Sequence, residues 1–175
     1  KLTTQDLKDY SELMDMRMEL VRSLDINMKD INAIVDSMEP FEGAKEFVDW
    51  VRDNFQLTIV SDSFYELAWP LIRKLGTPSI NCHYLDIQGN ELMGYKLRQS
   101  NNKQKVVQAL KEMQFTVFAS GDSYNDIQML NEADYGVFFQ APKHIKDEFP
   151  DIDVVNSHTE LKELFISKSQ FAERR

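Results

Sequence analysis

An α/β fold, with a mostly parallel sheet and helices on both faces, is what the sequence predicts, and three observations carry it. Short apolar runs suited to strands alternate with segments of helical spacing along most of the 175 residues. Two of those runs, 57–60 and 115–119, each lead through an acidic, hydroxyl-rich segment straight into a helical pattern. The chain has no internal repeat and no low-complexity stretch, so one substantial core with a small appended piece accounts for its length.

The N-terminal part reads as a helical pair. Leu13, Met16, Leu20, Val21 and Leu24 recur at helical spacing from Tyr10, and Ile31, Ile34, Val35 and Met38 repeat the pattern after Asn27. Arg17 stands one turn after Leu13. Its guanidinium is either solvated or turned to a carboxylate or phosphate. Pro40 breaks the pattern and marks a seam, giving a helical piece over 1–39 and an α/β piece over 40–175.

The second piece opens with a helix from about Glu42, its face made by Ala44, Phe47, Val48, Val51 and Phe55. Leu57 to Val60 then forms a strand that runs out into Ser61 Asp62 Ser63 Phe64, where Ser63 and Glu66 have capping-box spacing for the next helix. Ser61 either ends the strand or, with backbone N–H groups at a helix start, holds an anion. Pro70 is expected to end or kink that helix locally, and Gly76 to close it. A strand follows from Ile80 to Ile87. The turn Gln88 Gly89 Asn90 lets Tyr84–Ile87 pair with Leu92–Leu97 as a hairpin. His83, set among apolar residues, reads as a packed histidine before it reads as a ligand.

Asn101 and Asn102 are candidate caps for a helix from Lys103 to Met113 with Val106, Val107, Leu110 and Met113 on one face. Lys103 and Lys105 lie in its first turn. Cations are unfavourable there, so one of them is expected to answer an anion outside the helix. Phe115 to Ala119 is the next strand. It leads into Gly121 Asp122 Ser123 Tyr124 Asn125 Asp126, a Gly turn with two carboxylates four residues apart at a strand's C-terminal end. Ordinary capping needs only one of these side chains. The hard oxygen set suits Mg²⁺. A strand at Tyr135–Phe139, a helical piece opened by Pro142, a brief strand at Val154 and Val155, and a helix capped by Ser157 and Glu160 complete the order. The tail from Ser167 reads as frayed.

Composition narrows the partners. A formal net charge of -9 without a basic block argues against a nucleic-acid backbone or an anionic membrane surface, and leaves small charged metabolites. No apolar run approaches a membrane span, and the start from Lys1 to Asp9 is too polar for a signal peptide. One cysteine, Cys82, forms no intrachain disulfide. A reducing cytoplasm is the expected compartment, with Cys82 packed rather than nucleophilic.

Ser61 Asp62 Ser63 Phe64, then Lys103, then Gly121 to Asp126 resemble, in order, the second, third and fourth motifs of haloacid dehalogenase-type phosphatases. From Tyr10 to about Ser167 the chain is similar to their phosphoserine phosphatase branch, nearest to members described as also transferring phosphate to homoserine. Glu42 to Trp50 and Gly94 to Gln99 carry that closer likeness. The resemblance implies a Rossmann-like core at 40–175, a partial helical cap at 1–39, and Mg²⁺-dependent chemistry on a small phosphorylated amino acid. It makes Asp122 a metal ligand and Asp126 a supporting carboxylate. Ser61 and the N–H of Asp62 would hold phosphoryl oxygens, Lys103 would offset negative charge, Asn125 would contact substrate and Arg17 would grip its carboxylate. A metal, a lysine and oriented donors suit a phosphoryl group in flight, whose charge lies on its equatorial oxygens.

In that family the attacking Asp and its acid/base partner lie on a strand upstream of the cap, between the strands that here end at Ser61 and Ser120. No Asp-x-Asp or Asp-x-Glu loop after a strand precedes Tyr10, so the nucleophile and one metal carboxylate are expected outside these residues and the chain alone is expected to be inactive. Without that strand, backbone groups in mid-sheet would lack partners. A non-catalytic remnant that binds an anion or a partner chain is the second reading.

Overall fold

Helix α1 (Tyr10–Ser23) opens the computed structural model, which describes residues 10–169; the expectations for Lys1–Asp9 and for the last residues of the tail lie outside them. There follow α2 (Met28–Ser37), α3 (Ala44–Asn54), β1 (Thr58–Phe64), α4 (Tyr65–Lys74), β2 (Ser79–Gln88), β3 (Glu91–Lys96), α5 (Asn102–Glu112) and β4 (Phe118–Gly121). A 3-10 turn (Tyr124–Asp126), α6 (Ile127–Glu132), β5 (Tyr135–Phe139), α7 (Lys143–Glu148), β6 (Asp153–Val155) and α8 (His158–Lys168) complete the order. The described residues divide into two compact units, 10–102 and 103–169.

In the first unit the sheet order is β1-β2-β3, with β1 parallel to β2 and β2 antiparallel to β3. The expected hairpin forms, pairing Tyr84 with Lys96 through Gln88 with Glu91. Met14, Met18, Met28, Phe64, Leu85 and Leu92 make the core. Helix α1 turns inward only part of the face its spacing suggested: Leu13 is buried and Val21 packs against the core as expected, but Met14 and Met18 are buried in place of Met16 and Leu20, which are exposed, as is Leu24 just past the helix. Apolar residues lie on several sides of this helix, so period alone does not choose among them. Likewise α2 buries Met28 and Val35 and leaves Ile34 and Met38 exposed.

Three local expectations need correction. β1 does not stop at Val60 but runs on to Phe64, so Ser61–Ser63 belong to its irregular end rather than to a loop. The Ser63–Glu66 capping box is not formed: Phe64 is the cap residue of α4, and the Glu66 carboxylate accepts from the Leu85 N–H at 2.9 Å. Of the two outcomes expected at Pro70, an end to the helix does not occur: α4 continues to Lys74. Pro70 has no N–H for the Glu66 carbonyl to receive.

In the second unit β4, β5 and β6 are all parallel, in that order. Val107, Val117, Ala119, Met129, Leu130, Phe138, Ala141 and Ile145 form its core. β4 starts at Phe118, later than expected, because residues 114–115 close α5. Gln114 takes a left-handed φ of 66° and the Phe115 N–H reaches back to the Leu110 carbonyl at 3.1 Å.

Candidate active site

Gly121 ends β4, and the chain turns at once into the 3-10 turn ahead of α6, which brings Asp126 back against the strand. A Cβ on Gly121 would lie 2.5 Å from both Cβ and Cγ of Asp126. Glycine is needed here for close approach and not, as the sequence suggested, mainly for turning. The Asp126 carboxylate is a buried hub. Its Oδ1 accepts from Lys103 Nζ at 2.6 Å, and its Oδ2 from the N–H groups of Asp122 (2.9 Å) and Ser123 (3.0 Å) and from the Ser123 hydroxyl (2.9 Å). Burial alone would push this carboxyl up; the Lys103 charge and these bonds outweigh it and hold the group below the usual carboxylate range.

The anion expected to answer a first-turn lysine is therefore Asp126, and the lysine is Lys103, which is buried; Lys105 is exposed. Asn125 lies against the Ser123 hydroxyl through its Oδ1. Asp122 is exposed, held in place by its own backbone bond to Asp126.

Ser61, Asp62 and Arg17 belong to the other unit. From Val60 to Phe64 β1 advances four residues while β2 advances two, from Asn81 to His83, so Ser61, Asp62 and Ser63 stand opposite Cys82 alone. Such a bulge lifts backbone groups out of the ladder and re-aims side chains. The Ser63 N–H donates to Ser61 Oγ at 3.1 Å, which leaves the hydroxyl proton of Ser61 to point elsewhere. Asp62 Oδ1 faces Nε2 of the buried His83 at 3.6 Å. Arg17 is exposed on α1, with Nη1 3.9 Å from Met14 Sδ.

Cys82 is fully buried, and burial pushes its thiol up to about 11, against a smaller opposing pull from Arg98. A thiol at that value is not a nucleophile at neutral pH. Arg98, which the sequence reading passed over, ties this region together. Its N–H donates to His83 Nδ1 (3.1 Å) and its Nε to the Cys82 carbonyl (3.1 Å), and its guanidinium contacts the hydroxyls of Tyr65 and Tyr84 and lies over both rings.

For a divalent cation these residues offer a partial site. No group of three or more His, Cys, Asp or Glu side chains fit for a metal occurs among the described residues. Asp126 is engaged by its donors, and the exposed Asp122 is a second carboxylate in the same turn that could serve a hard cation. Mg²⁺ keeps several waters and takes one or two carboxylates plus phosphate oxygens.

Residues 8–134 match the family described as haloacid dehalogenase-like hydrolase. The chain belongs to that family. This hydrolase is 42% identical over 170 residues to phosphoserine phosphatase ThrH of Pseudomonas aeruginosa, a match covering 97% of this chain and 83% of that protein. It is also 42% identical to a phosphoserine phosphatase of Pseudomonas syringae pv. tomato, covering 97% and 72%. Among solved structures, a phosphoserine phosphatase with a phospho-aspartyl intermediate analogue superposes with a TM-score of 0.68 at 19% identity, over 79% of this chain and 70% of that one, and shares the fold. The hydrolase family agrees with the order of motifs in the sequence. The sequence reading named Ser123 within its motif but gave it no role, and it passed over the ties of His83 and Arg98, because these depend on a strand register and on hydrogen bonds that residue spacing does not display.

Proposed function

We propose that this chain is the greater part of a Mg²⁺-dependent phosphatase that hydrolyses O-phosphoserine, or passes its phosphoryl group to homoserine, through an aspartyl-phosphate. The attacking Asp is supplied from outside these 175 residues. The observation that carries the reading is the 42% identity to ThrH across 170 residues; the order and local geometry of the three motifs support it.

In this reading Ser61, its Oγ already accepting the Ser63 N–H, donates its proton to a phosphoryl oxygen, and the Asp62 N–H donates to another. Lys103, held by Asp126, offsets the negative charge gathered between nucleophile and phosphate. Asp122 holds Mg²⁺, with Asp126 fixing the backbone beneath it. The ion would set positive charge against the phosphoryl oxygens. Asn125 contacts the substrate, and Arg17, from a cap over residues 1–39, grips its carboxylate while residues 40–175 form the core. The P–O bond to serine breaks as the bond to the attacking carboxylate forms, and the departing serine oxygen takes its proton from the acid/base partner that accompanies the attacking Asp. Water then releases inorganic phosphate, or a homoserine hydroxyl takes the phosphoryl group. The substrate is a small phosphorylated amino acid and the compartment the cytoplasm; no helix among the described residues is long and apolar enough to cross a membrane.

The test uses the full-length protein with O-phosphoserine, with and without Mg²⁺, following inorganic phosphate. Release only with Mg²⁺ is expected, and no release in either condition overturns the reading. Adding homoserine decides between the two acceptors, since transfer requires phosphohomoserine to appear.

A further inference from the structure

We infer that His83 is a positioning residue for the phosphate-holding segment, acting through Asp62; the inference rests on the function proposed above. The segment Ser61–Ser63 is a bulge with three residues opposite one, and a bulge lacks the ladder bonds that hold the rest of β1. Something else must fix it. The Ser63 N–H to Ser61 Oγ bond closes it from within. From outside, the buried imidazole of His83 stands against it, as register partner of Phe64 and 6.2 Å ring to ring from that side chain.

The protonation of His83 follows from its neighbour. A backbone N–H can only donate, and that of Arg98 is bonded to Nδ1 at 3.1 Å, so Nδ1 carries a lone pair and the ring proton is on Nε2. Nε2–H faces Asp62 Oδ1 at 3.6 Å, longer than a hydrogen bond but close enough for a carboxylate to be drawn toward the N–H dipole. The side chains of His83 and Asp62 are 3% and 17% exposed, so water screens this attraction weakly. The contact therefore ties the bulge of β1 to β2. His83 draws the Asp62 carboxylate toward β2 and leaves the backbone N–H and the Ser61 hydroxyl to the anion.

Arg98 sets the acceptor side of the same relay. Its N–H fixes the tautomer, and its guanidinium, bonded to the Cys82 carbonyl, holds the backbone just ahead of His83.

The experiment is a double-mutant cycle in the full-length protein with H83N, D62N and H83N/D62N, read as kcat and KM for O-phosphoserine. Asn at 83 keeps an acceptor near the Nδ1 position and loses the Nε2 donor. Each single change is expected to lower kcat/KM about tenfold, and the double change no further, since each removes the same attraction between the Nε2–H donor and the Asp62 charge. H83Q, which keeps a donor toward Asp62, is expected within about threefold of wild type. Losses that multiply to about a hundredfold in the double variant, or an equal loss in H83Q and H83N, overturn the inference. A wild-type protein that releases no phosphate overturns the function instead, and the inference with it. Should H83N not fold, amide hydrogen exchange on D62N decides. Faster exchange at residues 62 and 63 is expected, and unchanged exchange overturns the proposal.

Discussion

Lys103 Nζ lies 2.6 Å from Asp126 Oδ1, both side chains nearly buried, so the first turn of α5 is tied to the turn after β4 by one ion pair. Removing one partner strands the other's charge away from water. K103M is expected to lose about 3–5 kcal/mol in urea unfolding. K103M/D126N, which removes the stranded charge but keeps an oxygen to accept from the Asp122 and Ser123 N–H groups, is expected to recover part of that. A loss under about 1 kcal/mol in K103M would mean the pair is solvated in solution.

The same carboxyl predicts an acid response. Burial opposes its ionisation, but Lys103 and the donors around it win, so the folded value lies below the ordinary 3.8. A depressed carboxyl contributes stability above its unfolded value and loses it as pH falls through the folded one. The stability margin of wild type over D126N should therefore hold near neutrality and shrink below about pH 4. Denaturant titrations of both proteins across that range measure it; a margin that grows on acidification contradicts the assignment.

G121A should show how tightly the hub is built. Its new Cβ would stand 2.5 Å from Asp126 Cγ, and neither strand nor carboxylate has room to yield without losing the bonds to Asp122 and Ser123. The expected cost is about 1–3 kcal/mol, with a shifted Asp122 amide resonance. An unchanged resonance would show that the loop relaxes without moving Asp126.

Most of the element order could be read from the chain because strands here are short apolar runs and helices are punctuated. What escaped did so for physical reasons. α1 ends with Asp25 in the left-handed region and α5 with Gln114, whereas α4 uses Gly76, and only the last carries the usual glycine signal. The helix faces of α1 were misread because Met14 and Met18 compete with Met16 and Leu20 for the inward side. Within the site, Lys103 was legible as a charge out of place at a helix start, and Asp126 as a carboxylate beyond what capping needs. The tie from His83 to Asp62 was not, since it depends on a two-residue slip in register.

Asp122 is exposed, so D122N should leave the thermal midpoint nearly unchanged while reducing Mg²⁺-supported phosphate release by the full-length protein on the order of a hundredfold. Full activity in D122N would remove it from the metal site.

Cys82, with its thiol raised to about 11 by burial, should resist iodoacetamide at neutral pH and react fully once unfolded. Rapid labelling of the native protein, followed by intact mass, would contradict its packing.

The bulge in β1 contains two residues more than the strand it faces. Side chains alternate along a strand with a period of two, so an even insertion preserves the faces on either side of it, whereas an odd one would invert everything beyond. Ile59 and Phe64 thus keep the orientations an uninterrupted ladder would give them. The segment is in effect a removable cassette: excising two of residues 61–63 should yield a protein that still folds, with β1 and β2 zipped continuously, and, if the function proposed above holds, one that has lost turnover of O-phosphoserine.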